Sequence, residues 1–251
     1  MEVVVVDCSE TPCSPATTTL SHSHLTRSET EVIPIKGSDL KEGMRVPVLK
    51  NIRMDKIKDT IKIGDYKIKL DKLTGWFIGA YLAEGNITNN QIQISSIQKY
   101  FQENTIRFAN RLEGKSRIRE FNGEYGPSTS TIITSKELST FLMKHCGTGS
   151  FKKRVPGFAY YSSNEFIYGL LQGYIDGDGS IKFDKNHHSI RVHSRSLELI
   201  KDISLLLNYT GIFGIIRNDV KKGKELYELN ILSKYAPKYM RLIGSNVEHK
   251  K

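Results

Sequence analysis

Two acidic residues could do metal chemistry, because each ends an apolar stretch at the same distance from a glycine. Glu84 follows Gly79 by five positions (84 − 79), and Asp178 follows Gly173 by five (178 − 173). Both stretches predict helices, so each carboxylate lies at a helix carboxyl end, where the helix dipole disfavours negative charge. A cation between the two ends would offset this repulsion, and oxygen ligands favour Mg²⁺. Such an ion could activate a water and stabilise charge on a phosphodiester.

Small residues on the same stretches predict how the two acids come together. Gly79 and Ala83 are four positions apart, as are Gly173 and Gly177, and residues at this spacing share one helix face. Small side chains on a shared face let two helix backbones approach closely. In one stretch alone, ordinary packing and a solvated acidic end would explain the pattern. The matched spacing in two stretches favours a paired site.

A calcium-binding loop is an alternative interpretation of the second stretch. Asp176 and Asp178 fall at ligand positions of such a loop. Its first position is Tyr174 and its last is Lys185, where carboxylates are required. The sequence therefore disfavours a loop of the EF-hand kind.

The elements around the two acids repeat in the same order. From residue 72 onward each half predicts α-β-β-α-β-β-α, an α+β fold of two pseudo-symmetric repeats. The repeats cover residues 72–150 and 151–245, after a separate segment of residues 1–60. Within that segment, residues 31–48 predict short strands, whereas residues 1–30 are rich in Ser, Thr, Pro and His and predict irregular structure.

The predicted strands alternate apolar and long polar side chains, so each has one core face and one polar face. The polar faces carry Gln, Arg, His and Ser, which hydrogen-bond base edges in the major groove of DNA. Lys and Arg also attract phosphates. Any half-exposed sheet resembles this pattern, so the positive charge of the chain is needed to give it weight. The candidate DNA-binding residues are Gln91, Gln93, Ser95, Arg117, Arg119, Lys182, Arg191, His193, Arg195 and Arg217.

Composition favours a polyanionic partner. The chain has 37 Lys and Arg against 27 Asp and Glu, a formal net charge of +10. This charge suits nucleic acid or an anionic membrane surface. No apolar run is long enough to cross a bilayer, no basic amphipathic helix supports surface binding, and the first residues lack the features of a secretory signal. We therefore expect an intracellular protein that does not bind membranes.

The cysteines indicate neither a disulfide framework nor a zinc site. Cys8, Cys13 and Cys146 are odd in number and form no CxxC pair. The first two could be combined with His22 and His24, but the spacings fit no standard zinc finger. Free thiols are the expected state.

Two motifs resemble those of the LAGLIDADG homing endonucleases. They are FIGAYLAEG at residues 77–85 and LQGYIDGDG at residues 171–179. The first motif departs from the family pattern at Leu82, which replaces the first Asp, and at Glu84, which replaces the last. The resemblance covers about residues 72–242. Two motifs in one chain imply a pseudo-symmetric monomer.

The resemblance also implies a mode of action on double-stranded DNA. In this family the two motif helices form the pseudo-twofold interface, and two saddle-shaped sheets lie in the major groove. Glu84 and Asp178 would then hold divalent metal, Mg²⁺, beside the scissile phosphates, with Gly85 and Gly179 adjoining the metal site.

Two lysines gain a role from the same resemblance. Intein-borne members carry a Lys in a Lys-x-x-Pro setting before the second motif, which Lys153 matches in KRVP, residues 153–156. A second lysine lies in the late strands, where Lys224 is the best match. The implied role is to polarise the attacking water or to steady phosphate charge. Each could instead be a surface lysine in a lysine-rich chain.

The amino-terminal segment resembles part of an intein splicing (Hint) domain. Thr19 and His22 match the Thr-x-x-His block of inteins, and GSDLKEGMRV resembles a neighbouring strand. The carboxyl end lacks the His-Asn pair, so we expect no splicing. His22 could equally be a loop histidine. The resemblance implies an intein-derived endonuclease.

Two functions follow from the resemblance. One is a site-specific endonuclease that cuts both strands of a long asymmetric DNA site. The other is a DNA- or RNA-binding protein on the same scaffold that does not cleave, such as an intron maturase. Retention of both acids favours the enzyme.

Overall fold

The structure is a computed structural model. It describes residues 3–6, 16–47, 57–123, 126–184, 187–221 and 224–247.

The amino-terminal part forms three antiparallel hairpins. Their strands are β1 (Val3–Val6), β2 (Ala16–Thr19), β3 (Ser23–Arg27), β4 (Val32–Lys36), β5 (Thr60–Ile63) and β6 (Tyr66–Lys69). β1 pairs with β2, β3 with β4, and β5 with β6. The prediction that residues 1–30 are irregular is wrong, because three of these strands lie there. Thr favours strands as well as turns, so pairing decides where composition cannot.

The first repeat follows directly. It consists of α1 (Lys72–Glu84), β7 (Gly85–Thr88), β8 (Gln91–Ser95), α2 (Lys99–Ala109), β9 (Lys115–Gly123), β10 (Gly126–Thr134) and α3 (Lys136–Cys146). The second repeat has the same parts: α4 (Asn164–Asp178), β11 (Gly179–Asp184), β12 (His187–Ser194), α5 (Leu197–Tyr209), β13 (Gly214–Lys221), β14 (Lys224–Ile231) and α6 (Ala236–Leu242). The predicted α+β fold of two α-β-β-α-β-β-α repeats is confirmed.

The two large sheets share one topology. The first has the strand order β7-β8-β10-β9 and the second β11-β12-β14-β13, and all pairs are antiparallel. In each sheet the first strand begins at the residue after the end of a motif helix, α1 or α4. The fold therefore places the start of each sheet beside one of the two acids.

The core lies between the motif helices and the sheets. α1 is apolar around most of its surface because it contacts α4 on one side and its own sheet and α2 on the other. Phe77 of α1 stacks on Phe108 of α2 with ring centroids 3.9 Å apart. At the amino-terminal end of α1, the Asp71 carboxylate accepts a hydrogen bond from the Thr74 amide and two 2.8 Å hydrogen bonds from Arg111. These contacts fix the direction of α1 and therefore the position of Glu84 at its carboxyl end.

Candidate active site

Glycines bring α1 and α4 into backbone contact. A Cβ placed on Gly79 would lie 2.0 Å from the Leu170 carbonyl oxygen, and one on Gly173 would lie 2.2 Å from the Trp76 carbonyl oxygen. Real Cβ atoms do not come this close to backbone atoms, so no larger residue fits without separating the helices. One turn closer to the carboxyl ends, a Cβ on Gly177 would lie 2.5 Å from Cβ of Ala83.

The contact continues one turn earlier, at two glycines that sequence reasoning missed. A Cβ on Gly75 would lie 2.1 Å from the Phe166 carbonyl oxygen, and one on Gly169 would lie 2.1 Å from the Lys72 carbonyl oxygen. Each contact has a counterpart with the two helices exchanged, as a twofold axis requires. The four-residue spacing that singled out the later glycines would also have found this pair.

The two acids emerge side by side at the carboxyl ends of these helices. Glu84 is half-buried and Asp178 is exposed. A Cβ on Gly177 would lie 3.2 Å from Cγ of Glu84, so the Glu84 side chain lies over the residue that precedes Asp178. Gly85 and Gly179 follow as helix caps, and a Cβ on either would meet a carbonyl oxygen of its own last turn at 2.4 Å. The two acids therefore end neighbouring helix turns, at the place where α1 and α4 touch.

Lys153 lies near Glu84 and Asp178, and we call the region around these three residues the acid pocket. Lys153 is buried, with only 6% of its surface exposed. Its Nζ donates to the carbonyl oxygens of Tyr81 at 2.8 Å, Leu82 at 3.0 Å and Gly85 at 2.8 Å. Burial lowers the pKa of Lys153 to about 8, while the charges of Asp178 and Glu84 act in the opposite direction. The interpretation of Lys153 as a surface lysine is wrong. Its ammonium neutralises the orphan carbonyls at the end of α1.

The segment that delivers Lys153 is itself anchored. Arg154, its neighbour, donates from Nε and Nη2 to the Asp202 carboxylate of α5, at 3.2 and 3.1 Å. Tyr160 and the Val155 amide donate to the same carboxylate. Asp202 therefore holds the linker between the two repeats in place.

Replacing Lys153 by Met should lower the free energy of unfolding by about 2 kcal/mol, because three buried carbonyl groups lose a charged donor. Chemical denaturation measures this loss. Lys152→Met is the matched control, since Lys152 is exposed one residue away. Equal stability of the two variants would contradict the capping role.

Asp176, the other acid of the second motif, contacts the segment after α6. It is 4% exposed and accepts hydrogen bonds from Ser245 Oγ and from the Asn246 amide. Gln172, one turn earlier, donates to the Ile243 carbonyl oxygen at 3.0 Å. Asp176 thus ties the segment after α6 to α4. Its counterpart in α1 is Leu82, which is buried at 2% exposure.

The candidate DNA-binding residues of the first repeat share one face of its sheet. Ile92 and Ile94 of β8 are at 0% and 1% exposure, whereas the residues between and beside them are half-buried on the other face. Cross-strand partners share a face. The pairing of β7, β8, β10 and β9 therefore groups the following polar residues around the buried Ile132: Asn86, Thr88, Gln91, Gln93, Ser95, Ser128, Ser130, Arg117 and Arg119.

The second sheet presents an equivalent face. Ile190 and Val192 of β12 are buried, and the alternate positions point the other way. Pairing of the four strands groups Ser180, Lys182, Ser189, Arg191, His193, Glu228, Asn230 and Arg217 on that face. Glu228 and Asn230 were missed, because only the pairing of β14 shows that they lie among the basic residues.

Arg195 lies beyond the end of β12 and not in the strand. Its guanidinium stacks over the ring of Phe151 at 3.8 Å from the centroid. Ser196, the next residue, donates from Oγ to the Lys153 carbonyl oxygen at 3.0 Å. Arg195 therefore lies next to the linker segment that delivers Lys153 to the acid pocket.

The remaining predicted residues lie elsewhere. Lys224 is the first residue of β14 and pairs with Lys221, and its side chain lies outside the described residues. Thr19 ends β2, and its carbonyl accepts from the His22 amide at 3.0 Å. The buried thiol of Cys146 is free. Cys8 and Cys13 lie outside the described residues, as does Lys185 at the end of the rejected calcium loop.

The donors at the acid pocket suit a hard divalent cation. Within the described ranges, no three His, Cys, Asp or Glu side chains come together as a metal cluster. A metal held by Glu84 and Asp178 would complete its coordination with water and phosphate oxygens, as Mg²⁺ commonly does. The Gly85 carbonyl already accepts from Lys153 at 2.8 Å, which makes it a weaker candidate for a backbone ligand than the Gly179 carbonyl.

None of the helices in the described residues has the length and apolar character to cross a membrane.

Comparison with known proteins identifies a LAGLIDADG-like domain in residues 165–244. The chain is 35% identical to the DNA-directed RNA polymerase subunit Rpo1C of Methanocaldococcus jannaschii, over 94% of this chain. It is 27% identical to an A-type ATP synthase subunit of Pyrococcus abyssi over 82% of this chain, and 28% identical to a DNA polymerase of Thermococcus aggregans over 65%. It spans 29%, 21% and 10% of the length of these three proteins.

Solved structures with the same fold include the homing endonuclease I-DmoI in complex with DNA and Mn. That structure has a TM-score of 0.52 at 17% identity, covering 71% of this chain and 99% of that chain. The amino-terminal LAGLIDADG domain of DUF199/WhiA has a TM-score of 0.51 at 11% identity, covering 76% and 90%. These similarities show that the chain has the LAGLIDADG fold.

Proposed function

We propose that this chain, which carries a LAGLIDADG-like domain, is a site-specific endonuclease that hydrolyses both strands of a long DNA site with divalent metal. One observation supports the proposal: Glu84 and Asp178 are the last residues of two helices that touch through glycine. Each helix end also begins a sheet with a polar face. The acids thus lie between the two surfaces that would hold the DNA.

Glu84 and Asp178 would hold the metal. Mg²⁺ held there would supply an activated water and stabilise the charge that develops on the scissile phosphate. Glu84 and Asp178 each serve one of the two strands, since the pseudo-twofold axis relates the acids as it relates the strands of a duplex. Lys153 orients the end of α1 and adds positive charge beside both acids. Because its Nζ is bonded to three carbonyl oxygens of the α1 end, Lys153 acts as a positioning residue.

The two sheets bind DNA in its major groove. Gln, Arg and His on the polar faces hydrogen-bond base edges, while Lys and Arg contact phosphates. Because both sheets belong to one chain, a monomer covers both halves of the site. The two faces carry different side chains, so the site is asymmetric in sequence.

We infer an intein-derived origin from the relatives. The RNA polymerase, ATP synthase and DNA polymerase relatives have unrelated named activities, yet each shares a segment with this chain. A segment present in unrelated proteins is expected of a mobile inserted element. The Thr19–His22 turn beside β3 supports the same origin.

A second candidate is a nucleic-acid-binding protein that does not cleave. The structural likeness to DUF199/WhiA, whose description names a LAGLIDADG domain and no endonuclease, favours it. The likeness to I-DmoI bound to DNA with Mn favours the endonuclease. The paired acids distinguish the two candidates, because binding alone does not require carboxylates at a surface that faces phosphates.

Cleavage tests the proposal directly. The purified chain is incubated with Mg²⁺ and a plasmid library of random inserts, with an EDTA sample alongside. One discrete double-strand cut at a selected sequence, absent with EDTA, is the expected result. Selective binding without any cut would support the second candidate instead.

Salt dependence tests the DNA-binding faces. If six or more phosphates are neutralised, affinity should fall about a thousandfold between 50 and 200 mM salt. Titration of a labelled duplex at several salt concentrations measures the slope. Binding that does not change with salt would contradict the placement of DNA on the two polar faces.

A further inference from the structure

Glu228 lies in the middle of the polar face of the second sheet, among the basic residues. It belongs to β14, the strand between β12 and β13, and it is directly opposite His193 on one side and Arg217 on the other. Its Oε2 is 3.1 Å from His193 Nε2 and 3.8 Å from Arg191 Nη1. Only 14% of its side chain is exposed. The acid is therefore surrounded by the groups that the proposed function directs at DNA.

The first sheet shows that the fold does not require this acid. His193 comes one residue after Val192, the partner of Gly179, just as Ser95 comes one residue after Ile94, the partner of Gly85. The row His193, Glu228 and Arg217 therefore corresponds to the row Ser95, Ser130 and Arg119. In that row Ser95 and Ser130 are linked through their hydroxyls at 2.9 Å.

A carboxylate at this place works against general DNA affinity. It faces a polyanion, and it reduces the positive potential that attracts phosphates. Contacts to phosphates are thus a poor explanation for Glu228. Contacts that distinguish one base from another are a better one, since a carboxylate accepts from the amino group of cytosine and arginine donates to guanine.

Arg191 and Glu228 are held in place by neighbouring side chains, and each still has hydrogen-bonding atoms without a partner among the described residues. Arg191 Nε donates to Ser189 Oγ at 3.0 Å, and its Nη1 faces Glu228, so the guanidinium is restrained at two nitrogens. Arg191 has a side chain 44% exposed, and its five N–H groups exceed these two contacts. Among the described residues, Oε1 of Glu228 has no hydrogen-bond partner. The remaining N–H groups of Arg191 and the Oε1 atom of Glu228 are therefore available to hydrogen-bond base edges.

We propose that Glu228, Arg191 and His193 form a sequence-reading cluster, in which Glu228 orients the two basic side chains and its Oε1 accepts from a base amino group. This inference rests on the proposed function, because it assigns a role on the DNA-facing sheet. The cluster makes the half-site beneath the second sheet discriminate at G·C pairs, where the first sheet has the hydroxyls of Ser95 and Ser130 at the positions of His193 and Glu228.

Selection of binding sites from a random duplex library, in EDTA so that no cleavage occurs, tests the cluster with the full chain. Glu228→Gln keeps the shape and loses the charge, and Glu228→Ser reproduces the row of the first sheet. Both variants should lose about tenfold in discrimination at a few adjacent positions in one half-site. Their affinity for random DNA at low salt should rise.

Glu225→Gln is the matched control, because it removes one charge from the same strand on the opposite face. It should raise affinity for random DNA and leave the selected sequence unchanged. A site profile for Glu228→Gln and Glu228→Ser that equals the wild-type profile would overturn the cluster. Thermal unfolding of each variant separates a reading role from a stability role. Failure of the wild-type chain to select any sequence would refute the proposed function itself, before any variant is compared.

Discussion

Changing Asp178 to Asn, or Glu84 to Gln, should abolish DNA cleavage while leaving DNA binding nearly unchanged. Each substitution removes one of two carboxylates at the carboxyl ends of α1 and α4. Loss of metal-based stabilisation of several kcal/mol corresponds to a fall of about a thousandfold or more in the cleavage rate. Neither acid lies on the sheet faces that would hold the duplex. Single-turnover cleavage and equilibrium binding to the same labelled DNA measure the two quantities.

Glu120→Gln is the control for these variants, because Glu120 is an exposed acid of β9 that pairs with Thr129 away from the acid pocket. It should cut at the wild-type rate. Wild-type cutting by Asp178→Asn or Glu84→Gln would remove that residue from the mechanism. Loss of binding together with cutting would show that the acid acts through structure.

The parts of the site that sequence alone could predict are those that depend on local spacing. A helix repeats every three to four residues, so Gly79 and Gly173 could be placed on helix faces without knowing what they contact. The structure shows both at backbone contact distance from the opposite helix. Glu84 and Asp178 follow from the same spacing, because a helix of known length ends at a known residue.

The parts that could not be predicted depend on contacts between distant segments. Lys153 reaches the carbonyls of α1 across about 70 residues of chain, so its burial is invisible in the local sequence. Glu228 has the same sequence character as the exposed Glu225, and only the register of β14 against β12 and β13 separates them. Contacts between distant segments decide both cases.

The glycine contact between α1 and α4 sets the distance between the two acids, so a single methyl group there should damage the whole molecule. Gly79→Ala would place Cβ 2.0 Å from the Leu170 carbonyl oxygen and 2.8 Å from the Tyr174 amide, both of which belong to the backbone of α4. Overpacking of this kind costs about 3 kcal/mol, against about 1 kcal/mol gained from the higher helix propensity of Ala. We expect the melting temperature to fall by several degrees, roughly 5 °C or more.

Gly157→Ala provides the comparison, because a Cβ on Gly157 would have no atom within 4 Å. Its melting temperature should match that of the wild-type chain in the same calorimetric scan. The Gly79 variant should also lose cleavage more than DNA binding, since separating α1 from α4 moves Glu84 away from Asp178 while each sheet stays attached to its own helix. A Gly79→Ala chain that melts and cuts like the wild type would mean that the helices can separate freely, and that the position of the acids does not depend on their contact.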